Sequence, residues 1–292
     1  MKRGGTWGFA SSTGQDFTHS SIVDAHFRAC LPAYRTLLGQ AGITAGQHVL
    51  DAGCGSGSFL PWLAALVGPQ GSVSAIDLAA EHVELARRQV PLWNPPCPVE
   101  VEVGDIVSLP FPDASVDAVW CANTVQYLDD AALRTALGEM RRVLRPGGRV
   151  AVKDLDPALI TVRPGDRFLF TDFFRQEARS PGYARQLLRS ADLFRWLDEA
   201  GFVQVRQRTV LIEHFAPLSP EAKEFYGASS AKLAEQALRQ GMPGHWSRFT
   251  DPDDPDNPLN HPHGYISEGN VLAVARKPST GRIPPKGTTS AR

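Results

Sequence analysis

Val49-Leu50-Asp51-Ala52-Gly53-Cys54-Gly55-Ser56-Gly57 is the stretch that decides the fold of this 292-residue chain. Apolar residues lead into an acid and three alternating glycines, which predicts a buried strand turning sharply into a helix. Because glycine lacks a Cβ and tolerates positive φ, a ligand can lie against the bare backbone of such a turn. The next apolar run, 71–76, ends in a second acid, Asp77. The two acids and the turn indicate a nucleoside ligand across the carboxyl ends of parallel strands.

The rest of the chain alternates apolar strands with helices of amphipathic period. Further strands are predicted near 72–77, 99–103, 116–121, 149–153, 202–212 and 270–275. Helices are predicted over 21–38, 59–67, 79–90, 133–144, 193–200 and 217–240. A Pro-rich break is expected over 91–98, and residues 155–190 are expected to be irregular or helical. This alternation implies βαβ crossovers and a parallel sheet covered on both faces.

Composition narrows the class of protein. Apolar residues make up 42% and charged residues 21% of the chain, as in ordinary globular proteins. A formal net charge of -1 gives no reason to expect a nucleic-acid or anionic-membrane partner. The four cysteines contain no CxxC pair, which favours reduced thiols in the cytoplasm. No apolar run suits a signal peptide or a membrane span.

Four motifs in order carry a family resemblance. They are the glycine stretch, Ile76-Asp77-Leu78, Gly104-Asp105-Ile106 with Leu109-Pro110-Phe111-Pro112-Asp113, and Arg141-Arg142-Val143-Leu144-Arg145-Pro146-Gly147-Gly148. Over roughly 45–153 this pattern resembles the class I S-adenosylmethionine-dependent methyltransferases. It is most similar to the ubiquinone/menaquinone-biosynthesis-like small-molecule group (methyltransferase type 11). The resemblance implies an α/β, Rossmann-like three-layer sandwich with a mostly parallel seven-stranded sheet, an antiparallel last strand, and helical insertions covering the acceptor site.

The resemblance also implies a division of the chain. Residues 1–44 are expected to form an N-terminal helical lid, and 45–276 the S-adenosylmethionine-binding domain. Within that domain, 155–190 and 213–268 are expected to be insertions that form the acceptor cover. Residues 277–292, rich in Pro, Gly, Ser and Thr, are expected to be a disordered tail.

S-adenosyl-L-methionine is the cofactor that the resemblance implies, with S-adenosyl-L-homocysteine as its product. Asp77 could accept from both ribose hydroxyls, Asp105 from the adenine amine, and Asn123 matches a position facing the methionine end. Leu78 and Ile106 would sandwich the adenine. The full set of expected cofactor-binding residues is Asp51, Gly53, Cys54, Gly55, Gly57, Asp77, Leu78, Asp105, Ile106 and Asn123.

Structural interpretations stand beside these ligand roles. Asp77 could cap the following helix, Asp105 suits ordinary turn chemistry, and Asp51 could orient the glycine loop. Cys54 would contribute backbone and bulk. A nicotinamide or flavin dehydrogenase remains an alternative, although its G-x-G-x-x-G/A fingerprint fails here at Ser58.

Catalytic residues are not evident from the sequence. Tyr127 stands where the resembled group often places a histidine, His19 could belong to the lid, and His214 and His245 flank the late insertion. Two histidines and four aspartates in a Pro-rich loop invite a metal interpretation, but the EF-hand pattern fails there, so no metal is expected. The loop residues are Asp251, Asp253, Asp254, Asp256, His261 and His263.

The predicted function is methyl transfer to a small molecule, quinone-like or of secondary metabolism. Aromatic residues at 168–183, with Phe215, Phe225, Tyr226 and Trp246, suggest an apolar cover over the acceptor pocket. Two alternatives are an RNA or protein methyltransferase, and a protein that binds the cofactor without methyl transfer. The assembly is expected to be a monomer or homodimer.

Overall fold

A computed structural model describes residues 8–10, 16–18 and 20–279, with side chains from residue 21 onward. The predicted lid histidine, His19, and the predicted tail beyond Ser279 lie outside the described residues. Strands β1 (Gly8–Ala10) and β2 (Asp16–Thr18) pair antiparallel as a small hairpin. Among the described residues, no helix combines the length and apolar character needed to cross a bilayer.

A seven-stranded sheet organises the chain. Its strands are β3 (His48–Ala52), β4 (Ser72–Asp77), β5 (Val99–Val103), β6 (Val116–Ala122), β7 (Leu144–Arg163), β8 (Val203–Phe215) and β9 (Tyr265–Arg276). The spatial order is β5-β4-β3-β6-β7-β9-β8. The first five strands in this order, from β5 through β4, β3 and β6 to β7, pair in parallel. Strand β9 lies between β7 and β8 and pairs antiparallel with both. The predicted mostly parallel sheet with an antiparallel last strand is confirmed.

Helices cover both faces of the sheet. They are α1 (Ser20–Ala29), α2 (Leu31–Gln40), α3 (Leu60–Val67), α4 (Ala80–Trp93), α5 (Asp130–Val143), α6 (Leu169–Glu177), α7 (Tyr183–Leu188), α8 (Leu193–Glu199) and α9 (Pro220–Arg239). One core joins α2, α3 and α4 to the sheet around Trp120. A second core joins α5 and α8 to the opposite face around Leu137. The chain therefore has the three layers that the sequence predicts.

A third core lies among α6, α7 and α9. Phe170 packs edge to face on Trp246 and Phe249, with ring centroids 5.3 and 5.2 Å apart. Phe173 and Phe174 are buried in the same cluster. Several aromatic residues that the sequence suggested as an acceptor cover therefore form the interior of this helical layer.

Two predicted helices have different bounds. The predicted helix 21–38 is two helices, because the chain breaks at Cys30, whose φ of -95° and ψ of 5° are not helical. The predicted helix 79–90 runs on to Trp93 through Pro91. Pro91 is tolerated near the end of α4, where Asn94 in the left-handed conformation caps the helix and donates its N–H to the Pro91 carbonyl.

Strand β7 corrects the prediction that 155–190 is irregular or helical. It pairs with β9 as far as Arg163, with an irregularity between Asp156 and Thr161 that accommodates Pro157. Strand β9 likewise begins at Tyr265, not at 270. Acidic and proline residues interrupt the apolar pattern in both extensions. These parts of β7 and β9 are strands because they pair with each other, so the local sequence did not predict them.

Arg142 joins two of the sequence motifs. Its guanidinium donates to the carbonyls of Leu109 and Phe111 at 2.9 and 2.8 Å, and it bonds the carboxylates of Glu139 and Asp113. The carboxylates of Glu139 and Asp113 raise the pKa of Arg142 further above its usual value. Arg142 therefore fixes the Leu-Pro-Phe-Pro-Asp loop onto helix α5.

We expect Arg142→Lys to lower the free energy of unfolding by about 1–3 kcal/mol. The ammonium of lysine lacks the planar, forked guanidinium that lets Arg142 bond two carbonyls and two carboxylates at once. Urea unfolding followed by circular dichroism measures this change. Arg88→Lys is the control, since the exposed Arg88 pairs with the exposed Glu84 one turn away on α4 at 2.9 Å. Equal effects of the two substitutions would contradict this account.

Candidate active site

The glycine bend is tied directly to the neighbouring strand. The N–H groups of Gly53 and Cys54 both donate to the Ile76 carbonyl, at 2.9 and 2.8 Å. Gly53 has φ of 86°, and a Cβ there would fall 2.4 Å from the Thr124 hydroxyl oxygen. Gly53 therefore cannot be replaced without strain, and the bend presents bare backbone at the carboxyl edge of the sheet.

Asp77 lies at the centre of this edge. Its Oδ2 accepts from the N–H of Gly55 at 2.8 Å, and its Oδ1 accepts from the N–H of Ala79 at 3.0 Å. The His82 Nδ1 lies 3.1 Å from the same Oδ1. Asp77 thus supports the start of α4, as its structural interpretation predicts, and its other oxygen faces the glycine bend, while its ligand role stays a prediction. His82 is not among the residues predicted from the sequence, although a histidine on the first turn after this acid was a usable signal.

Asp51 is buried beside Asp77. It is 1% exposed, and its Oδ2 has no hydrogen-bond partner among the described residues. Burial, with a smaller contribution from the nearby Asp77 carboxylate, raises the pKa of Asp51 to about 8. An unpaired buried carboxyl is costly for the fold, so this position suits a cationic ligand group.

Asp105 and Ile106 follow the end of β5. Gly104 donates its N–H to the Asp77 carbonyl at 3.0 Å, so the two strand ends adjoin. Asp105 Oδ1 accepts from the Val107 N–H at 3.0 Å, which is the turn chemistry that the sequence allows. Ile106 is 6% exposed and packs in the core, whereas Leu78 is partly exposed.

Asn123 and Lys153 bring the ends of β6 and β7 together. The Lys153 ammonium donates to Asn123 Oδ1 at 2.7 Å and lies 3.8 Å from the centroid of the Tyr34 ring. Lys153 is 1% exposed, and burial lowers its pKa against the opposing influence of Glu268, Cys30 and Asp154. Lys153 is not among the site residues predicted from the sequence, although a charged residue at the end of a buried strand was a signal.

Helix α1 lies against the glycine bend. Asp24 Oδ1 accepts from the hydroxyls of Ser56 and Ser58, at 3.0 and 3.2 Å. Phe27 packs on Phe59 and Trp62 with ring centroids 5.0 Å apart in both pairs. These contacts place the N-terminal helices beside the predicted cofactor site, while their role as a lid stays a prediction.

A second polar cluster joins α1 to β9. His26 Nε2 lies 2.8 Å from Glu268 Oε1, and the Cys30 thiol lies 3.6 Å from the same oxygen. Burial would raise the pKa of Glu268, but His26, Lys153 and Asn270 together hold it at about 2. No motif flagged this cluster, although polar residues inside a buried strand at 267–270 were a signal.

The predicted catalytic residues are dispersed. Tyr127 stacks on Tyr183 with ring centroids 5.7 Å apart. His214 lies on β8 with its Nε2 buried, and burial lowers its pKa. His245 is exposed before a short 3₁₀ turn. Of these residues, only His214 lies near the Glu268 cluster, with its ring 5.1 Å from Tyr226.

The Pro-rich loop does not gather its acids around one point. Asp251 and Asp254 accept from the backbone N–H groups of Asp253 and Asp256, as loop residues do. Within the described residues, the group of possible metal ligands whose ligand atoms all lie within 4.8 Å of one another consists instead of His26, Cys30 and Glu268.

Comparison with known proteins agrees with this architecture. Residues 49–148 match the family described as "Methyltransferase domain". An O-methyltransferase, resE, from Aspergillus sclerotiorum is 31% identical over 66% of this chain and 70% of its own length. A demethylmenaquinone methyltransferase from Symbiobacterium thermophilum is 32% identical over 48% of this chain and 53% of its own. The solved structure of a SAM-dependent methyltransferase from Aquifex aeolicus has TM-score 0.50 and 26% identity, covering 66% of this chain and 92% of that one.

The fold and the strand-end site define a Rossmann-like methyltransferase. This chain belongs to the class I S-adenosylmethionine-dependent methyltransferases, and the resemblance to the quinone-biosynthesis group is confirmed. The dehydrogenase alternative is thereby set aside. The chain spans 32%, 38% and 53% of the lengths of the first three relatives that it matches.

We expect Asp51→Asn to flatten the pH dependence of stability. The folded Asp51 carboxyl has its pKa raised to about 8 from 3.8, so the folded state holds the extra proton between these values. Stability present below about pH 4 is therefore lost as pH rises towards 8, by up to about 4 kcal/mol between pH 5 and 8. Urea titrations of the ligand-free protein across this range measure the difference. Parallel pH profiles of the variant and the unmodified protein would contradict the assignment.

Proposed function

We propose that this protein transfers the methyl group of S-adenosyl-L-methionine to a small-molecule acceptor by in-line substitution. The observation that carries the proposal is the pairing of Asp77 with the Gly55 N–H at the glycine bend, beside the unpartnered carboxylate oxygen of Asp51. The site suits a ligand with ribose hydroxyls at one end and an ammonium group at the other. Family membership supports the same ligand.

The residues of the site fit the cofactor in distinct ways. Asp77 would hold the ribose hydroxyls, and the bare backbone at Gly53 and Gly55 would allow close approach of the ligand. Asp51 would pair with the ammonium of the methionine end, which matches the need of its buried oxygen for a donor. Leu78, Ile106 and Asp105 would contact the adenine, while Asn123 would face the methionine end.

Methyl transfer from a sulfonium requires little chemical activation by any single side chain. When bound, S-adenosylmethionine supplies an electrophilic methyl group. The protein aligns the acceptor and excludes water, and such alignment can supply about 7–11 kcal/mol. Helices α1 and α9 are the elements placed to do this, because they meet over the carboxyl edge through His26 and Phe225, whose rings stack at 3.9 Å.

A small-molecule acceptor suits the composition and the surroundings of the site. A formal net charge of -1 gives the chain as a whole no electrostatic attraction to RNA. The names of relatives include O-methyltransferases and demethylmenaquinone methyltransferases, which supports an acceptor of the quinone or secondary-metabolite kind. All four cysteines are free thiols, which is consistent with the proposed cytoplasmic location.

We expect Asp77→Asn to weaken S-adenosylmethionine binding about 10- to 100-fold, because a neutral amide replaces a carboxylate that accepts from the ribose. Isothermal titration calorimetry with S-adenosylmethionine and S-adenosylhomocysteine measures the affinity. Asparagine keeps an oxygen for the Ala79 N–H, so α4 should remain intact.

Glu84→Gln is the matched control, because Glu84 lies on the same helix and, in the part of the chain that the structure describes, forms an exposed pair with Arg88. It should bind both ligands as the unmodified protein does. The proposed function fails if the unmodified protein gives no saturable heat with either ligand.

A further inference from the structure

A buried carboxylate anchors the polar cluster between α1 and β9. Glu268 is 2% exposed, and its Oε1 receives His26 Nε2 and Asn270 Nδ2, each at 2.8 Å. A charge this deeply buried persists only where it is paired and hydrogen-bonded. Glu268 therefore fixes the position of the His26 imidazole through this short hydrogen bond.

The orientation of the His26 ring follows from this pair. Because the Glu268 carboxylate accepts at Nε2, the neutral ring carries its proton on Nε2 and its lone pair on Nδ1. Phe225 stacks on the ring face at 10°, and Tyr34 and Tyr226 contact it at 75° and 81°. A histidine held by a carboxylate in this way is the arrangement of a base with its orienting partner.

Contacts connect His26 to the proposed cofactor site. The Tyr34 hydroxyl lies 3.5 Å from His26 Nε2, and the Tyr34 ring lies under the Lys153 ammonium that bonds Asn123. On the same helix, Asp24 bonds the serines of the glycine bend. A series of contacts through Tyr34 and Lys153 thus links His26 to Asn123, which lies at the expected methionine end of the cofactor.

The surroundings of His26 are polar as well as aromatic. Asn270 Oδ1 and His214 Nε2 are buried atoms that make no hydrogen bond within the described part of the chain. Asn270 lies on β9, the strand that carries Glu268, and His214 lies on the neighbouring β8. Buried polar atoms ordinarily have hydrogen-bond partners, so these two suit an acceptor with more than one polar group. The titratable groups that face the His26–Glu268 pair from the packed elements are Cys30, Tyr34, Lys153, His214 and Tyr226.

We propose that His26, oriented by Glu268, is the general base of an O-methylation, and that the acceptor is a small molecule with an ionisable aromatic or enolic hydroxyl. This inference rests on the proposed function. The acceptor hydroxyl gives its proton to His26 Nδ1 while its oxygen forms a bond to the methyl carbon. The electrons of the carbon–sulfur bond go to sulfur, which leaves as the neutral thioether. Glu268 stabilises the imidazolium until the proton passes to solvent.

A matched pair of probes tests the acceptor class. Radiolabelled S-adenosylmethionine is supplied with either 1-naphthol or 1-naphthylamine, because a hydroxyl must lose its proton during attack whereas a neutral amine need not. The label should pass to naphthol. Transfer to the amine alone, or to neither probe in a protein that binds S-adenosylmethionine by calorimetry, would overturn the inference and leave the cofactor assignment intact.

Variants test the role of each residue. His26→Gln should lower kcat for naphthol about 10²- to 10⁴-fold, with S-adenosylmethionine affinity within twofold of the unmodified protein. Glu268→Gln keeps a hydrogen-bond acceptor, so it should fold and show a smaller loss. His263→Gln, on an exposed loop, is the control and should be unchanged. Retention of naphthol activity by His26→Gln would overturn the proposal.

Two further measurements need no turnover. Nitrogen-15 NMR of labelled histidines should show the neutral His26 ring protonated on Nε2, and a ring protonated on Nδ1 would contradict the proposal. Metal analysis tests the alternative that His26, Cys30 and Glu268 form a zinc site, in which the metal would occupy Nε2 of His26. Stoichiometric zinc that is lost in Cys30→Ser would therefore overturn the assignment, whereas metal-free protein supports it.

Discussion

The hydrogen bonds between the glycine bend and the end of β4 are the constraint on which the site depends. Two N–H groups of the bend share the Ile76 carbonyl, and a third meets the Asp77 carboxylate. Buried backbone donors must find acceptors, so the bend has one conformation, and Gly53 at φ of 86° allows it. The strand ends, the acid and the bare backbone are thereby held at one edge of the sheet.

This edge gathers charges that a protein interior ordinarily excludes. Asp51, Lys153, Asp154 and Glu268 are each at most 2% exposed. Burial raises the pKa of Asp51 and Asp154 and lowers that of Lys153, which shows that the fold alone gains little from these groups. Glu268 differs because its partners outweigh burial. Costly buried charges are typical of functional sites, and here they lie on the side of the sheet where the cofactor is proposed to bind.

The sequence predicted the features that depend on local chemistry. The strand, the glycine bend and the following acid occupy consecutive residues, so one short window fixes β3, the bend and the place of Asp77. It could not predict the reach of β7 to Arg163, because that strand exists through pairing with β9, about a hundred residues later. The contact between His26 and Glu268 could not be predicted for the same reason, since 242 residues separate the two partners.

Helix α1 links the two halves of the site. Asp24 and His26 are two residues apart, so their side chains project about 200° apart around the helix axis. One side chain reaches the serines of the glycine bend and the other reaches Glu268 on β9. The helix thus lies between the glycine bend and β9, with polar contacts to both. Because an imidazole can act as a base only if it is held within hydrogen-bond reach of its target, the placement of α1 by the glycine bend is what makes His26 suited to that task.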